Sequence, residues 1–197
     1  ILVCLVGSEM CIRDSIKPTT GEVLNNGINV RTSEDWKSFT SAFLDESFLI
    51  SYLMPEEYFY FVGELRNFSK KQVDEFLKQF EDLFNGEILG GKKFIRDLSK
   101  GNQKKVGIVA ALIGDPEVII LDEPFANLDP TTQIRLKKII KTLSQKVGVT
   151  VLVSSHDLQD VTEVSDRIVL LEKGLVIKDI KKTKKTLQDL ETYFNKE

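Results

Sequence analysis

The sequence predicts an α/β domain that contains an incomplete parallel sheet, a helical subdomain and a small antiparallel β unit. Two short apolar runs, residues 118–121 and 149–153, are typical of strands that are buried on both faces of a parallel sheet. Helical periodicity lies between them, and strands that alternate with helices imply right-handed crossovers. The 197 residues are 42% apolar, which is enough to fill one core.

The antiparallel unit and the first helices come early in the chain. An Asn-Asn-Gly turn at residues 25–27 lies between two apolar segments and predicts a β-hairpin. Residues 55–66 begin with proline and two acids, the composition of a first helical turn. Residues 69–84 open with a capping box of Ser69 and Gln72 and predict a second helix. Its apolar face consists of Val73, Phe76, Leu77, Phe80, Leu83 and Phe84.

The remaining elements follow toward the carboxyl end. Apolar periodicity and turn residues predict helices over residues 99–113, 131–147 and 158–164. Two further strands are predicted at residues 168–171 and 175–180, around a Glu-Lys-Gly turn. We expect the lysine-rich tail, residues 181–197, to be a solvated helix.

The charge pattern excludes two classes of protein. The chain has 27 Lys and Arg against 30 Asp and Glu, a net charge of -3, without a basic block. This balance argues against a dedicated nucleic-acid binder, so we expect no nucleic-acid partner. No run approaches the roughly 18 apolar residues that cross a bilayer. We therefore expect a soluble chain whose membrane role, if it has one, goes through a partner protein.

The first fifteen residues do not match the rest of the sequence. Both cysteines, Cys4 and Cys11, lie there, so no disulfide framework can be argued. The segment lacks the charged leader and cleavage pattern of a signal peptide. It resembles a translated sequencing-adapter read, an artefact of metagenome assemblies. We expect residues 1–15 to be non-native and the natural sequence to start in mid-domain near Ile16.

Polar side chains follow two of the predicted parallel strands. The carboxyl ends of such strands face the ligand crevice, and Asp122 and Glu123 lie at one end and His156 at another. Two adjacent carboxylates are costly unless a metal ion or other cation compensates them. One can hold Mg²⁺ while the other polarises a water molecule. The structural alternatives are a strand end followed by a turn, and a histidine without a catalytic role.

A second candidate site precedes the helix at residues 99–113. Ser99 suits an N-cap, Gly101 permits close approach of a ligand, and the helix start offers free amides and a positive dipole end. These features describe an anion site. The alternative is an ordinary capped helix.

Four motifs in fixed order resemble a known family. The segment LSKGNQ resembles the LSGGQ signature of ABC ATPases, VIILDEP their Walker B strand, residues 126–129 their D-loop and residues 154–157 their switch-histidine turn. The chain is thereby identified as a member of this family from about Ile16 to Ile180, with a P-loop NTPase-like fold. The segments AALIGDP and LDEPFANLDP are closest to ATP-binding subunits of bacterial ABC transporters, particularly export systems.

The resemblance implies roles for individual residues in binding ATP and Mg²⁺. Asp122 would be the Mg²⁺-associated aspartate, Glu123 the general base that orients water, and His156 the residue that contacts the γ-phosphate. Ser99 and Gly101 would touch the γ-phosphate of ATP on the opposite subunit.

Three further positions complete the set that the resemblance implies. Asp129 would link the two sites across a dimer. Asn102 stands where the family has its second signature glycine. Asp45 stands at the Q-loop glutamine, where it could still hold a water molecule on Mg²⁺ but has a shorter reach toward the permease-coupling segment.

The sequence contains no phosphate-binding loop of the form G-x4-G-K-[ST]. The segment that comes nearest, GEILGGKK at residues 86–93, has Lys93 in place of the hydroxyl and follows a predicted helix, so we interpret it as a loop. The aromatic residue that stacks on adenine is missing too. We expect that the native amino-terminal part was replaced, that these 197 residues neither bind ATP tightly nor hydrolyse it, and that uncovered apolar surface makes them poorly soluble.

The leading hypothesis is an energy-coupling subunit of a membrane transporter. It divides the chain into a partial ABC ATPase domain, residues 16–180, with a helical subdomain at about 48–115, and the tail. The resemblance implies a homodimer or pseudo-dimer, a transmembrane permease partner and a cytoplasmic position at the inner face of the membrane. An aromatic patch in the helical subdomain is expected to be mostly core: Tyr52, Tyr58, Phe59, Tyr60 and Phe61.

Two alternative functions are less favoured by the sequence. A soluble ABC ATPase that acts on DNA or ribosomes would carry long coiled coils or a second ATPase domain, and residues 16–99 lack sustained heptads. The other alternative is a degenerate regulatory subunit that lost its glycine loop in evolution. The presence of Asp122, Glu123 and His156 argues against it.

Overall fold

The computed structural model describes residues 20–194. The predicted non-native segment, residues 1–15, lies outside the described residues, as do residues 16–19 and 195–197. Within the described part of the chain, no helix is both long and apolar enough to cross a lipid bilayer.

The first element is the predicted β-hairpin. Strands β1 (Leu24–Asn25) and β2 (Ile28–Asn29) pair in antiparallel fashion. Asn26 and Gly27 connect them with φ angles of 47° and 78°. Positive φ at both central residues is the requirement of a type I′ turn, so the hairpin prediction is confirmed, with shorter strands than expected.

A parallel sheet of three strands lies at the centre of the fold. Strands β3 (Thr40–Phe43), β4 (Val118–Asp122) and β5 (Thr150–Ser154) lie in the order β3-β4-β5. The register pairs Phe43 with Leu121 and aligns the three carboxyl ends at one edge. The two apolar runs therefore form neighbouring strands, as predicted, while β3 was not predicted.

Helices connect β3 to β4. Helix α1 (Pro55–Leu65) agrees with the prediction, whereas the single helix expected over residues 69–84 is wrong. It is divided into α2 (Lys70–Leu77), a 3-10 turn and α3 (Glu81–Phe84). The 3-10 turn separates the two halves of the predicted helix, and the apolar side chains of both halves pack in the core or against it. Those that are buried are Val73, Leu77, Phe80, Leu83 and Phe84.

Helix α4 (Lys100–Leu112) is the most deeply buried helix of the described residues. Each residue from Gln103 to its end is buried, so it is enclosed on all sides. It packs closely against β3 because Gly107 has no side chain: a Cβ there would lie 2.3 Å from the ring of Phe43.

Arg66 ties the end of α1 to the region of β3. Its guanidinium donates hydrogen bonds to the carbonyl oxygens of Lys37 (2.9 Å), Ser38 (2.7 Å) and Thr40 (2.6 Å) and to the Ser41 hydroxyl (2.9 Å). Burial lowers the pKa of Arg66. The helices between β3 and β4 are thus fastened to the sheet at its amino-terminal side.

The carboxyl-terminal part completes the α/β arrangement. It contains α5 (Pro130–Ser144), α6 (Leu158–Val164), an antiparallel pair, β6 (Arg167–Glu172) and β7 (Leu175–Lys181), and α7 (Thr186–Phe194). The predicted tail helix is present, but it is solvated on one side only. Leu190 is buried, and the Tyr193 hydroxyl donates to Glu172 at 3.0 Å.

Candidate functional site

The parallel sheet brings the predicted chemical residues to one edge. Asp122 is the last residue of β4 and is paired in register with Ser154, the last residue of β5. Asp45 follows β3, and His156 follows β5. The carboxylates and the imidazole, which are far apart in sequence, therefore lie at the same edge of the sheet, formed by the carboxyl ends of its strands.

Asp122 is oriented by the adjacent strand. The Ser154 hydroxyl, which is buried, donates a short hydrogen bond to Asp122 Oδ1. A single bond from one side fixes the carboxylate but leaves acceptor capacity on it. Asp122 can therefore accept from a further ligand such as metal-bound water.

Glu123 adopts an unusual backbone conformation. Its φ of 43° lies in the left-handed region, which costs a residue with a side chain about 1 kcal/mol. Its N–H donates to both the carbonyl and the hydroxyl of Ser154, each at 3.2 Å. Its carbonyl accepts a hydrogen bond from Lys104 Nζ at 2.9 Å. The turn after β4 is thus held on both sides, and it directs the Glu123 carboxylate toward β5.

The Glu123 carboxylate meets His156. Its Oε1 accepts from the His156 backbone N–H at 3.0 Å and lies 2.8 Å from His156 Nδ1. The hydrogen bond to Glu123, and then its negative charge, raise the pKa of His156. The imidazole side chain is 78% exposed, so it can contact a ligand while it orients the carboxylate.

Asp45 is engaged in its own turn. Its Oδ1 accepts from the Ser47 backbone N–H at 2.7 Å and caps the 3-10 turn Glu46–Phe48. A hydrogen bond from the Ser47 side chain, and then the one from its backbone N–H, lower the pKa of Asp45, and the charges of Lys100 and Lys104 add to the effect. Asp45 is accordingly an anionic group at the edge of the sheet, and its Q-loop role stays a prediction.

The signature segment starts α4 as predicted. Ser99 is the N-cap, and its hydroxyl accepts from the Asn102 N–H at 3.2 Å. A Cβ at Gly101 would lie 3.4 Å from the Asn127 carbonyl and 3.5 Å from Leu128. The signature and the predicted D-loop are therefore in contact within one chain.

Asp129 and Asn102 also have local partners. Asp129 caps α5, and its carboxylate accepts from the Thr132 N–H at 3.0 Å and from the Thr132 hydroxyl. These two bonds lower the pKa of Asp129. A hydrogen bond from the side chain of Asn102 helps to lower the pKa of Glu87. Contacts of Asp129 and Asn102 with a second subunit stay predictions.

The lysine-rich glycine segment is a loop, as interpreted from the sequence. Gly86 follows α3 with a φ of 70°, and the loop runs on to residue 93. The Gly90 N–H donates to Glu56 at 2.5 Å, which ties the loop to α1. It follows a helix and not a buried strand, the wrong context for a phosphate cradle.

The aromatic patch divides between core and surface. Phe59 is fully buried, and Tyr58 and Tyr60 are partly buried against the core, whereas Tyr52 and Phe61 are exposed. The expectation that most of these rings pack in the core holds for the three central ones.

Sequence reasoning missed the residues that hold the site together. Ser154 bonds to both acidic residues, and Lys104 contacts the Glu123 carbonyl and Glu46. The sequence holds one signal for Lys104, which stands at the start of a mostly apolar helical segment. Such a segment is expected to be buried, and a lysine is seldom buried without a partner, so this position predicts a buried polar contact.

The chain is similar to proteins of a known family. The sequence model of the family described as ABC transporter matches residues 9–126. The energy-coupling factor transporter ATP-binding protein EcfA2 of Staphylococcus epidermidis is 31% identical over 173 residues, which are 82% of this chain and 59% of the relative. The carnitine transport ATP-binding protein OpuCA of Listeria monocytogenes is 26% identical over 89% of this chain and 47% of its own length.

A methionine import ATP-binding protein, MetN of Carboxydothermus hydrogenoformans, is 28% identical over 59% of this chain and 34% of the relative. The chain therefore spans between 34% and 59% of the length of these three curated relatives.

Solved structures show the same fold. A dimeric ATP-binding cassette in a post-hydrolysis state, bound to ADP and Pi, superposes with a TM-score of 0.74 at 23% identity, over 91% of this chain and 83% of that chain. CbiO1 from Clostridium perfringens superposes with a TM-score of 0.74 at 20% identity, over 99% of this chain and 81% of that chain.

Proposed function

The chain belongs to the ABC transporter ATP-binding family, and on that basis we propose that it forms part of a subunit that hydrolyses ATP to drive transport across a membrane. One observation carries the proposal: the Glu123 carboxylate is held by His156 beside Asp122, at the carboxyl ends of parallel strands. This arrangement suits a base that activates a water molecule.

In the proposed reaction, Glu123 orients the attacking water and accepts its proton. His156 holds the carboxylate through two contacts and presents its exposed ring to the γ-phosphate. The raised pKa of His156 favours a positive charge on that ring, which suits contact with an anion.

Asp122 fits the Mg²⁺ that accompanies ATP. Among residues 20–194 no group of three or more His, Cys, Asp or Glu side chains could hold a metal ion alone. Mg²⁺ in nucleotide sites needs only one or two carboxylates, because phosphates and water supply the other ligands. When bound, the ion would neutralise charge on the phosphates. We propose Asp122, with Asp45 through water, as the protein groups that face it.

The signature segment is proposed to act on the nucleotide of a second subunit. Ser99 and Gly101 begin a buried helix whose free amides suit a phosphate, and Asn102 lies in the same first turn. The contact of Gly101 with the Asn127 carbonyl supports a role for Asp129 in linking two sites. We propose a homodimer or pseudo-dimer of such subunits.

A transmembrane permease is the proposed partner, and a position at the inner face of the membrane follows from it. The turn after β3 and the following segment, which connect the site to the proposed helical subdomain, expose Phe48, Ile50 and Tyr52. The methionine import proteins MetN and the molybdate/tungstate import protein WtpC are similar to this chain and are importers by name, so we do not propose the predicted export direction. An ATPase acting on DNA or ribosomes is not favoured, because the relatives are transporter subunits.

The test is the Mg-ATPase activity of the reading frame that contains these residues, expressed whole. Glu123→Gln should lower the turnover by about 100-fold or more, because the amide cannot accept a proton. Glu64→Gln, a change at an exposed glutamate of α1, is the matched control and should leave turnover unchanged. Full activity in Glu123→Gln would refute the assignment. For the 197 residues alone, which lack the lysine-bearing loop, we predict no turnover.

A further inference from the structure

Lys104 is a buried cation that the proposed reaction does not use. Only 6% of its side chain is exposed, although it lies within one helical turn of the exposed Lys100. A buried ammonium group is costly unless other groups compensate its charge and hydrogen bonds. Its partners therefore indicate why it is there.

Two segments from different parts of the chain supply those partners. Lys104 Nζ donates to the Glu123 carbonyl at 2.9 Å and lies 3.6 Å from Glu46 Oε1, whose side chain is 13% exposed. Glu46 belongs to the turn after β3, and Glu123 to the turn after β4. One ammonium group thus joins the helix of the signature segment to two strand ends of the site.

The backbone of Glu123 requires such support. Its φ of 43° is unfavourable for a residue with a side chain, and the following Pro124 favours an extended conformation at this position. The Ser154 bonds fix the N–H side of the residue. On the carbonyl side, the Lys104 bond of 2.9 Å is accompanied only by a longer one of 3.3 Å from the Ala126 N–H, among the bonds described.

We propose that Lys104 is a positioning residue: its bond to the Glu123 carbonyl keeps this turn in the left-handed conformation that directs the carboxylate onto His156. The inference rests on the proposed function only in taking Glu123 as the base. Without the Lys104 bond, the turn relaxes toward the extended region and the carboxylate moves away from the imidazole.

His156 provides the readout, because it is the only histidine of the chain. The pH midpoint of its ring protons is measured by NMR on the 197-residue chain without nucleotide. Loss of a positive charge alone raises the pKa of a neighbouring histidine, whereas loss of the Glu123 contact lowers it. The two effects have opposite signs, which separates positioning from simple electrostatics.

Lys104→Met should therefore lower the His156 midpoint, and Lys104→Arg should restore the wild-type value. The matched control is Lys105→Met, because Lys105 is equally buried on the same helix and pairs with Glu87 instead, at 3.8 Å. It should leave the midpoint unchanged. An unchanged or higher midpoint in folded Lys104→Met, or an equal fall in Lys105→Met, overturns the proposal.

Folding is checked by the fluorescence of Trp36, the only tryptophan, which is buried. Should Lys104→Met fail to fold, the double variant Lys104→Met/Glu46→Gln removes the carboxylate left without its partner, and the same criteria apply. The NMR result is independent of ATP turnover, so failure of this inference and failure of the proposed function are distinguishable.

Discussion

The pairing of Glu123 with His156 joins the turns that follow two neighbouring strands, β4 and β5. Each side chain follows a parallel strand, and the left-handed backbone of Glu123 brings its carboxylate to the amide and ring of His156. A carboxylate whose position is fixed before a ligand binds loses little conformational entropy when it acts on that ligand. The local strain at Glu123 is consistent with a functional position.

Replacement of Glu123 should lower the pKa of His156. In Glu123→Gln the ring loses its charged hydrogen-bond partner, so the pKa falls toward the ordinary value of 6.5. NMR titration of the single histidine measures the change. The exposed Glu191 provides the control, because Glu191→Gln should not move the midpoint. An unchanged midpoint in Glu123→Gln would contradict the pairing.

The same pair makes stability depend on pH with a defined sign. Because the folded pKa of His156 is raised, its contribution to the free energy of unfolding is fully present below pH 6.5 and is lost as the pH rises through the folded pKa. The ring is mostly exposed, so the effect is small. Urea unfolding is measured below pH 6.5 and again above the folded pKa of His156. The free energy of unfolding should differ more between wild type and Glu123→Gln at the lower pH than at the higher pH.

The identity of the acidic residues and the histidine could be predicted because each lies in a short local motif. The residues that hold these side chains in place could not be predicted. Ser154 is 32 residues from Asp122, and Lys104 is 19 residues from Glu123, so no local pattern connects them. Asp129 was found through its motif, but its capping bonds to Thr132 were not.

At the scale of elements, strand β3 illustrates what apolar patterning misses. Its four residues, TSAF, contain a single large apolar side chain, and propensity alone does not identify such a segment. Its pairing with β4 and its packing against α4 supply the stability. The apolar strands β4 and β5 and helices α1 and α4 were predicted within a few residues, whereas the capped segment at residues 69–84 is divided by a 3-10 turn.

The contact between α4 and β3 should tolerate no added atom. Gly107→Ala places a Cβ 2.3 Å and 2.4 Å from ring atoms of Phe43, which is buried. At these distances the ring or the helix must shift, so the variant should lose about 1–3 kcal/mol of unfolding free energy despite the higher helix propensity of alanine.

Urea unfolding followed by Trp36 fluorescence measures this loss. Gly91→Ala is the matched control, since the nearest atom to its new Cβ would lie 4.0 Å away, and it should change stability by less than about 0.5 kcal/mol. Equal stability of the two variants would show that α4 and β3 pack less closely than described.

At the scale of the molecule, apolar and polar side chains together line an open cleft, and some of the apolar ones are exposed. It has a volume of about 450 Å³ between β3, α1 and α4, and Phe48 and Leu65 line it while 62% and 68% exposed. The sequence predicted uncovered apolar surface and low solubility but could not locate it, because exposure depends on how the helices pack. This cleft is the place where that prediction can be tested.

Polar replacement in the cleft should reduce self-association. Phe48→Ser and Leu65→Ser remove apolar area that is worth about 25 cal/mol per Å² when buried between molecules. Light scattering over a concentration series should show less association for both variants. Val147→Ser changes a fully exposed residue beyond α5 and serves as the control. Association that responds equally to all three changes would contradict a role for the cleft.

The parallel sheet also has a kinetic consequence. Strand β3 pairs with β4 across the whole of residues 44–117, and helices α1, α2, α3 and α4 lie within that interval. Closing a loop of this length loses chain entropy before any strand pairing compensates it, so pairings of high contact order form slowly. The sheet edge that carries Asp45 and Asp122 therefore forms late in folding, after the intervening helices, and a nascent chain completes this edge only once both strands have been synthesised.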